Sequence, residues 1–410
     1  MRPSVPTGSR KTQAGQIVPV ALLGVLITSA VLVLLFNTSQ RITHKTQATN
    51  AADAAAYSGA VWTARHLNFV AYTNRAMLAN DAAVGHFVSY VSWVRYVHDS
   101  IEYIDRVTQW IPIVGQYIDI AEQIAEQVRE LAEQSADVAV PAIDLWNANF
   151  RAAQAEAQAS LALDNLNELM QATARNYDPD LRVNDRGELS RMPQELRTII
   201  ETQLMSQLAS VPTFVRRYTA SNDRGSLSEL VDLSLNANDN VRRWIPGQRG
   251  WQETGLAFRL RKQGSTTHTQ SAQGADWRAR DQLQYRTRRP FGWSSWRRIG
   301  EDESTASASE FDSDYSGVPS YYNVAGAPGD RTLRIAALVT QAQEHIATAD
   351  LLGMQSPNVP ITAIAIARVE FRRPRTGGFP TLGADMHEFA NLFNPFWEAR
   401  LAHLDLGGGL

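Results

Sequence analysis

Residues 17–36 read IVPVALLGVLITSAVLVLLF, a run of 20 residues without a charge. A helix of this length spans about 30 Å, the hydrocarbon thickness of a bilayer. A cleaved signal peptide is the alternative, but its apolar region is usually about 7–15 residues long and ends at small residues. This run is longer, and the following Asn37-Thr38-Ser39-Gln40-Arg41 is a poor cleavage site. The sequence therefore predicts a retained transmembrane anchor at residues 15–37.

The charges around the anchor predict its orientation. Arg2, Arg10 and Lys11 precede it without any acidic residue, and Arg41 and Lys45 follow it. Basic residues are retained preferentially on the cytoplasmic side. We therefore expect a cytoplasmic tail at residues 1–14, a single pass through the inner (cytoplasmic) membrane, and the bulk of the chain outside. No second uncharged apolar run is long enough to span a bilayer.

The composition restricts the remaining possibilities. The chain has 410 residues, a formal net charge of −3 and no cysteine. It is long enough for a large core and for two exported subdomains. The lack of cysteine excludes disulfides, thiolate metal ligands and cysteine nucleophiles. The exported part must therefore be held together by packing or by partners.

A long helix is predicted to continue directly from the anchor. No proline occurs between Pro19 and Pro112, and the frequent alanines have the highest helix propensity. We expect one helix from about Ile17 to beyond Tyr96, extending as far as Trp110. Alanine is common in helices for its propensity alone, but a cluster of it also makes a narrow face on which another helix can pack. The candidate helix-packing residues are Ala51, Ala52, Ala55 and Ala56.

Three stretches resemble the TadE/TadG-like proteins of Tad (Flp) pilus assembly. The first combines Gly15-Gln16, Pro19 within the anchor, and residues 46–56, TQATNAADAAA. In that family a Gly-Gln or similar pair enters a single transmembrane helix, and a run like Gln-x-x-Asn-Ala-Ala-Asp-Ala-Ala-Ala follows it. The other two are similar to long TadG-like members: NFVAYTNRAM at residues 68–77 and NLFNPFWEARL at residues 391–401. The resemblance implies a structural component whose partners are other pilus-assembly or pilin subunits.

One position departs from the pattern of processed pilins. Class III prepilins, which include the major Flp pilin and TadE-like minor pilins, are cut after Gly and carry Glu at the fifth mature position. Counted from Gln16, the fifth position of this chain is Val20. Within the resemblance, this difference favours an uncleaved TadG-like anchor.

The rest of the chain predicts an α+β fold. We expect a second helix from about Ile113 to Arg175, kinked or split at Pro141 and antiparallel to the first. A loop at residues 176–193 and a short helix at 194–208 complete a helical stalk at residues 38–210. The head, residues 211–410, is expected at the far end of the stalk with an antiparallel β-sheet. Its predicted strands are residues 213–218, 255–263, 266–271, 276–287, 294–299, 332–341 and 361–371, with a loop at 301–329 and an amphipathic end segment at 389–401.

The sharpest change in composition is a basic stretch between Val241 and Arg298. It contains 13 Lys or Arg and three acids, interleaved with aromatic residues. Such a pattern is typical of surfaces that hold single-stranded nucleic acid, and it also suits an anionic polysaccharide or lipid head group. The alternative is a solvated strand face with inward tryptophans, neutralised by the six acids of residues 301–314. The candidate polyanion-binding residues are Arg259, Arg261, Lys262, Arg286, Arg288, Arg289, Trp293 and Trp296.

Two further motifs concern metal ions, and no other cofactor is predicted. Asp312, Asp314 and Ser316 match the D-x-D-x-S-G start of a calcium loop, but the twelfth position is Asn323 instead of glutamate. Calcium binding and a chance match in a polar loop are both open. His98 and Glu102 are four residues apart on the predicted helix, a spacing that suits either a metal or a surface contact.

No motif indicates catalysis. The chain has no H-E-x-x-H, no G-x-S-x-G and no P-loop of the form G-x-x-x-x-G-K-[ST]. The sequence and its resemblance therefore predict a non-enzymatic, membrane-anchored structural component of Tad/Flp pilus biogenesis, either a TadG-like assembly protein or a minor pilin. The alternative is an envelope-anchored protein whose basic head captures a polyanion such as DNA or polysaccharide.

Overall fold

Three helices begin the fold. A computed structural model describes residues 17–108, 112–161, 163–185, 249–271, 274–317, 332–349, 359–372 and 392–402, with a few single positions between 187 and 198. Helix α1 is Ile17–Thr108, α2 is Pro112–Ser160 and α3 is Leu163–Arg175. Pro112 is the first residue of α2, a position where its missing N–H costs no helical hydrogen bond.

The described strands form two antiparallel sheets. The first, which we call the proximal sheet, has the order β1-β7-β8-β9. The second, the distal sheet, has the order β2-β3-β4-β5, with β6 paired to β4. The strands are β1 Arg182–Val183, β2 Trp251–Thr254, β3 Phe258–Ser271, β4 Gly274–Arg289, β5 Gly292–Trp293, β6 Arg297–Ser307, β7 Thr332–Gln341, β8 Ile361–Phe371 and β9 Trp397–Ala402.

The proximal sheet packs on the part of α1 that directly follows the anchor. Small residues recur along one face of α1 at spacings of three and four, from Ala48 to Ala64, and they are buried. This spacing places them on one stripe of the helix. The stripe forms a core with β7, β8 and α3, in which Ile335, Leu166 and Met170 are fully buried.

The distal sheet packs on a later part of the same helix. Val84, Val88 and Val91 continue the buried stripe of α1. Across from them lie Trp277 of β4 and the alanines of β4, β6 and α2. A single helix thus contributes to both cores, and this shared helix holds the two sheets together.

Helices α1 and α2 form the predicted antiparallel hairpin. The side chain of Asn80 donates to Asn147 at 2.9 Å, and Arg95 donates to Glu133 at 2.7 Å. The later residue of α1 contacts the earlier residue of α2, as expected for two antiparallel helices. Pro141 lies inside α2 and does not split it; α2 ends at Ser160, and α3 begins at Leu163.

The fold class predicted from the sequence is confirmed, with differences of detail. Strands β7 and β8 have the predicted bounds, and the two strands predicted between 255 and 271 are one strand, β3. Residues 301–307 are not a loop, because they continue β6 along β4. In the predicted end segment at 389–401, the structure has strand β9 from residue 397 to residue 402. The helix predicted at 194–208 and the strand at 213–218 lie essentially outside the described residues.

The position of the head also differs from the expectation. The sheets lie along the helical stalk and not past its end. Asn37, immediately after the anchor, exchanges two hydrogen bonds with the backbone of Ala349, at 2.8 and 2.9 Å. Arg41 donates to the carbonyl of Val359 at 3.1 Å. The C-terminal half of the chain therefore returns to the end of the apolar segment of α1.

Candidate functional site

The first functional surface is the apolar start of α1. It is the helix in the described part of the chain that is long and apolar enough to cross a membrane. The large apolar side chains from Val18 to Phe36, apart from the partly buried Val33, are between 44% and 69% exposed. A stripe this wide would be strongly unfavourable in water, and lipid is the solvent that suits it. The segment is therefore compatible with a single-pass membrane anchor.

The alanine face of α1 is covered by the chain itself. Ala51, Ala52, Ala55 and Ala56 are fully buried in the core that α1 forms with the proximal sheet and α3. Packing is close: a Cβ added at Gly59 would lie 3.2–3.3 Å from Ile335, Leu166 and Met170. The sequence predicts a face on which another helix can pack, and in this fold helix α3 and the proximal sheet of the same chain occupy it.

The two stretches that resemble long TadG-like members meet in the structure. The side-chain amide of Asn68 pairs with the backbone of Trp397 in both directions, at 2.9 and 3.0 Å. Asn74 donates to the carbonyl of Leu392 at 2.9 Å and accepts from Gln154 of α2 at 2.8 Å. Both asparagines thus attach the C-terminal segment to α1. Because the two stretches are more than 300 positions apart, no local pattern in the sequence indicates this contact.

The basic residues of the distal sheet form an alternating stack with its tryptophans. Arg259 lies over Trp293 at 4.3 Å from guanidinium carbon to ring centroid, and Arg261 lies over Trp296 at 4.3 Å. Arg286 lies between the rings, 5.4 Å from Trp293 and 4.5 Å from Trp296. The rings contact guanidinium groups by cation–π interaction, and they are neither packed into the core nor freely open for stacking with a base.

This stack has no neutralising acid among the described side chains. No carboxylate there lies within 4 Å of Arg259, Arg261 or Arg286, and their Nε atoms have no hydrogen-bond partner. Desolvation and the charges of Arg259 and Arg261 lower the pKa of Arg286. The acidic stretch pairs elsewhere: Glu303 contacts Arg280, and Glu310 accepts from Arg95 of α1 at 2.6 Å. The basic face therefore keeps its positive charge.

Lys262 is not part of this face. Its side chain is buried, and its ammonium lies 2.6 Å from the carboxylate of Asp281. Because side chains alternate along a strand, Lys262 points to α1 while Arg259 and Arg261 point outward. The prediction that Lys262 binds a polyanion is corrected, whereas Arg288 and Arg289 are exposed at the end of β4.

The predicted metal-binding motifs are engaged within the protein. Ser316 donates to Asp144 at 2.7 Å and lies 3.2 Å from the guanidinium of Arg151. Asp312 accepts the backbone N–H of Asp314 at 3.1 Å. The nearby positive charge of Arg151 opposes a cation at Ser316, and calcium binding by Asp312, Asp314 and Ser316 stays a prediction.

Asp99 lies close to His98 and Glu102, the pair whose spacing suits a metal. The potential ligand atoms of His98, Asp99 and Glu102 lie within 4.8 Å of one another. In this structure each has a protein partner: His98 contacts Glu126 at 2.9 Å, Ser304 donates to Asp99 at 2.5 Å, and Arg106 donates to Glu102 at 2.8 Å. These contacts join α1 to α2 and β6.

A buried polar cluster that sequence patterns did not indicate joins α1 to the distal sheet. Tyr315 donates a hydrogen bond to Asp81, and Nε2 of His268 lies 3.6 Å from the other carboxylate oxygen. Burial raises the pKa of Asp81 from 3.8 to about 7, with the charge of Asp144 adding to it. Burial also lowers the pKa of His268 from 6.5 to about 4, against the opposing effect of Asp276. Both side chains thus favour their neutral forms.

These shifts give opposite pH dependences. The stabilisation from Asp81 is complete below its unfolded pKa of 3.8 and is lost as the pH rises through about 7. The stabilisation from His268 is complete above its unfolded pKa of 6.5 and is lost as the pH falls through about 4. Between about pH 4 and 6.5, the stability lost from Asp81 as the pH rises is largely offset by the stability gained from His268. The pH dependence of either group is therefore visible only when the other is removed.

Asp81→Asn is therefore expected to become progressively less destabilising, and then stabilising, as the pH rises. Asparagine can still accept from Tyr315, but it never ionises. Relative to the parent, its free energy of unfolding should increase by about 1.4 kcal/mol per pH unit between about pH 4 and 7. Unfolding of both proteins across this range measures the difference. The exposed control Asp119→Asn should show no trend, and a constant difference for Asp81→Asn would contradict the shifted pKa.

Comparison with known proteins bears on the N-terminal part of the chain. Residues 15–62 match the model of the Tad family, described as Flp pilus-assembly TadE/G-like. Searches of curated proteins and of solved structures returned no match. The matched residues comprise the exposed anchor and most of the alanine stripe that the proximal sheet covers. The chain thus carries an N-terminal TadE/G-like segment and resembles a TadE/TadG-like protein of the Tad pilus system.

Proposed function

We propose that the protein is a non-enzymatic structural component of Tad/Flp pilus biogenesis, held in the inner membrane by residues 17–36 with its N-terminus in the cytoplasm. The observation that carries the proposal is the continuity of α1: one helix begins as an exposed apolar anchor of TadE/G-like sequence and becomes the core of a folded module. Such a molecule couples a membrane position rigidly to an external surface.

Within this function, the burial of α1 favours an assembly component over a filament subunit. Filament packing through the helix would need a free helical face beyond the anchor. In this chain the proximal sheet, α2 and α3 cover the buried stripe of α1. Val20 also stands where processed pilins of this kind carry glutamate. Partners would then be other pilus-assembly or pilin subunits that contact the outside of the module.

Cell fractionation tests the proposal. Surface filaments are sheared from cells, and the chain is sought in the filament fraction and in washed inner membranes, alongside a deletion strain examined for filaments. We expect the chain in the inner membrane and a loss of filaments in the deletion strain. Its presence in sheared filaments would identify a minor pilin instead. Normal filaments in the deletion strain would overturn a role in biogenesis.

The unpaired arginine stack favours a second candidate, an envelope-anchored protein that captures a polyanion such as DNA or polysaccharide. The stack offers guanidinium edges that can hold phosphate or carboxylate. Binding of an oligonucleotide or acidic polysaccharide that weakens steeply with salt would support this function, and normal filaments in the deletion strain would favour it over pilus biogenesis.

A further inference from the structure

Two tight turns meet at one end of the distal sheet. Phe258 at the start of β3 is paired with Thr287 near the end of β4. The N–H of Arg288 donates to the carbonyl of Ala257 at 2.8 Å. The turn before β3, residues 255–257, and the turn after β4, residues 290–291, are therefore neighbours. Pro290 restricts the second turn, and Gly292 closes it with a φ of +131°, a value that side-chain-bearing residues rarely adopt.

The tips of these turns carry the most exposed large apolar side chains of the described chain. Leu256 is 91% exposed and Phe291 is 104% exposed, whereas the next value, for Val138, is 72%. Phe258, beside them, is half exposed. These side chains contribute nothing to either core. A pair of fully exposed apolar side chains on restricted turns is more informative than scattered surface leucines, which are normal.

Three arginines lie next to these tips. Arg288 and Arg289 directly precede the second turn, and Arg259 follows the first. None of them has a carboxylate within 4 Å among the described side chains, and Trp293 holds Arg259 in place at 4.3 Å. The end of the sheet thus combines an apolar tip with an uncompensated positive rim.

This end points away from the membrane anchor. His268 of β3 lies beside Asp81 of α1, 3.6 Å apart. Six residues back along β3, Lys262 lies over Tyr96, 5.2 Å from the ring centroid. Moving from His268 towards the turns therefore means moving along α1 away from the anchor. From Asn37 to Tyr96 the helix rises about 90 Å, and the bilayer that holds the anchor is too far away to meet the tips.

We propose that the turns at residues 255–257 and 290–291 dock on an anionic lipid bilayer other than the one that holds the anchor. Leu256 and Phe291 enter the interface between head groups and acyl chains, while Arg259, Arg288 and Arg289 contact anionic head groups. A soluble polyanion would use the arginines but leave the two apolar tips without a role. Base stacking is disfavoured because guanidinium groups already cover the faces of Trp293 and Trp296. The proposal rests on the membrane anchoring of residues 17–36 in the proposed function, but not on a role in pilus biogenesis.

The test uses the full chain with its anchor inserted in nanodiscs of phosphatidylcholine. These particles are mixed with labelled vesicles of phosphatidylcholine alone or with added phosphatidylglycerol, and co-flotation measures capture. We expect capture of the anionic vesicles only. The double variant Leu256→Ser/Phe291→Ser should weaken capture roughly tenfold or more, because burial of two large apolar side chains is lost.

Matched variants separate lipid docking from general apolar adhesion and from charge attraction alone. Val138→Ser/Leu145→Ser removes two exposed apolar side chains of α2 and should leave capture unchanged. Arg288→Gln/Arg289→Gln should weaken capture and reduce its dependence on salt. Equal thermal unfolding of all variants excludes misfolding as the cause.

Three results would overturn the proposal. The first is equal capture of neutral and anionic vesicles, and the second is capture that survives Leu256→Ser/Phe291→Ser. The third is a lack of capture of the anionic vesicles. Oligonucleotide or acidic polysaccharide binding and self-association of the loaded nanodiscs are then measured. Polymer binding would assign the arginines to polyanion capture, and self-association would assign the tips to a contact between two copies.

Discussion

Asp281→Asn is expected to lower the free energy of unfolding by about 3–5 kcal/mol, because it leaves two buried cations without their shared counterion. The carboxylate of Asp281 is fully buried and lies 2.6 Å from both Arg249 and Lys262. Ser92 of α1 donates to it at 2.7 Å. One carboxylate therefore holds the segment before β2, strand β3 and helix α1 together.

The site offers no room for adjustment. A Cβ at Gly264 would clash with Oδ1 of Asp281, so the backbone of β3 approaches the carboxylate directly. The ammonium of Lys262 has Tyr96 as its other neighbour, at 5.2 Å from the ring centroid. Burial lowers the pKa of Lys262, and the hydrogen bond to Asp281 opposes that effect. Removing the negative charge thus takes away the group that keeps the buried lysine charged.

A pair of controls separates charge compensation from general damage. Lys262→Met removes one cation but leaves Asp281 paired with Arg249, and it should cost clearly less than Asp281→Asn. Asp119→Asn, on the exposed face of α2, should change stability by no more than about 0.5 kcal/mol. Chemical unfolding of the full chain in detergent, followed by tryptophan fluorescence, measures all three. Equal stability of Asp281→Asn and Asp119→Asn would refute the structural role of the cluster.

The second large effect is expected for Ala52→Leu combined with Ala56→Leu. Both alanines are fully buried between α1 and the proximal sheet. Each leucine adds three carbon atoms to a closely packed site, and overpacking of this kind costs about 1–3 kcal/mol per substitution. Helix propensity changes little between alanine and leucine, so the loss would come from the displaced sheet. We expect a markedly lower unfolding midpoint for the double variant.

Ala79→Leu is the matched control, since it makes the same change on the exposed side of the same helix. It should leave stability nearly unchanged. The comparison also decides between two uses of the alanine face. If the double variant unfolds like the parent but fails to assemble with pilus components, the face is an intermolecular contact and its packing against the proximal sheet is wrong. Loss of stability in the isolated protein supports the intramolecular core.

Several elements could be predicted because their signals are local. The anchor follows from 20 uncharged residues, and α1 follows from a proline-free, alanine-rich stretch that ends before Pro112. Strands β7 and β8 were predicted with their observed bounds because they are buried on both faces or nearly so, and such strands read as continuous apolar runs. The extension of β6 over residues 301–307 was missed, since its acids and serines resemble a loop.

The candidate sites could be predicted only in part, because some of their contacts have no local signal in the sequence. A cluster of arginines and tryptophans is visible in the sequence, but alternation along β3 decides that Lys262 faces α1 and Arg259 faces outward. The buried pair of Asp81 and His268 gave no signal, because its members are 187 positions apart. Their contact depends on where the distal sheet packs along α1.

The sequence by itself determined that this protein has an apolar helical segment long enough to cross a membrane, a TadE/G-like beginning and an α+β body. Those properties depend on composition and periodicity within short windows. Only the tertiary structure decided that the alanine face receives the chain's own sheet, that residues 68–77 hold residues 392–397, and that the arginines form an uncompensated rim around two apolar turns. These properties depend on which surfaces meet, and burial and hydrogen bonding across hundreds of residues select that pairing.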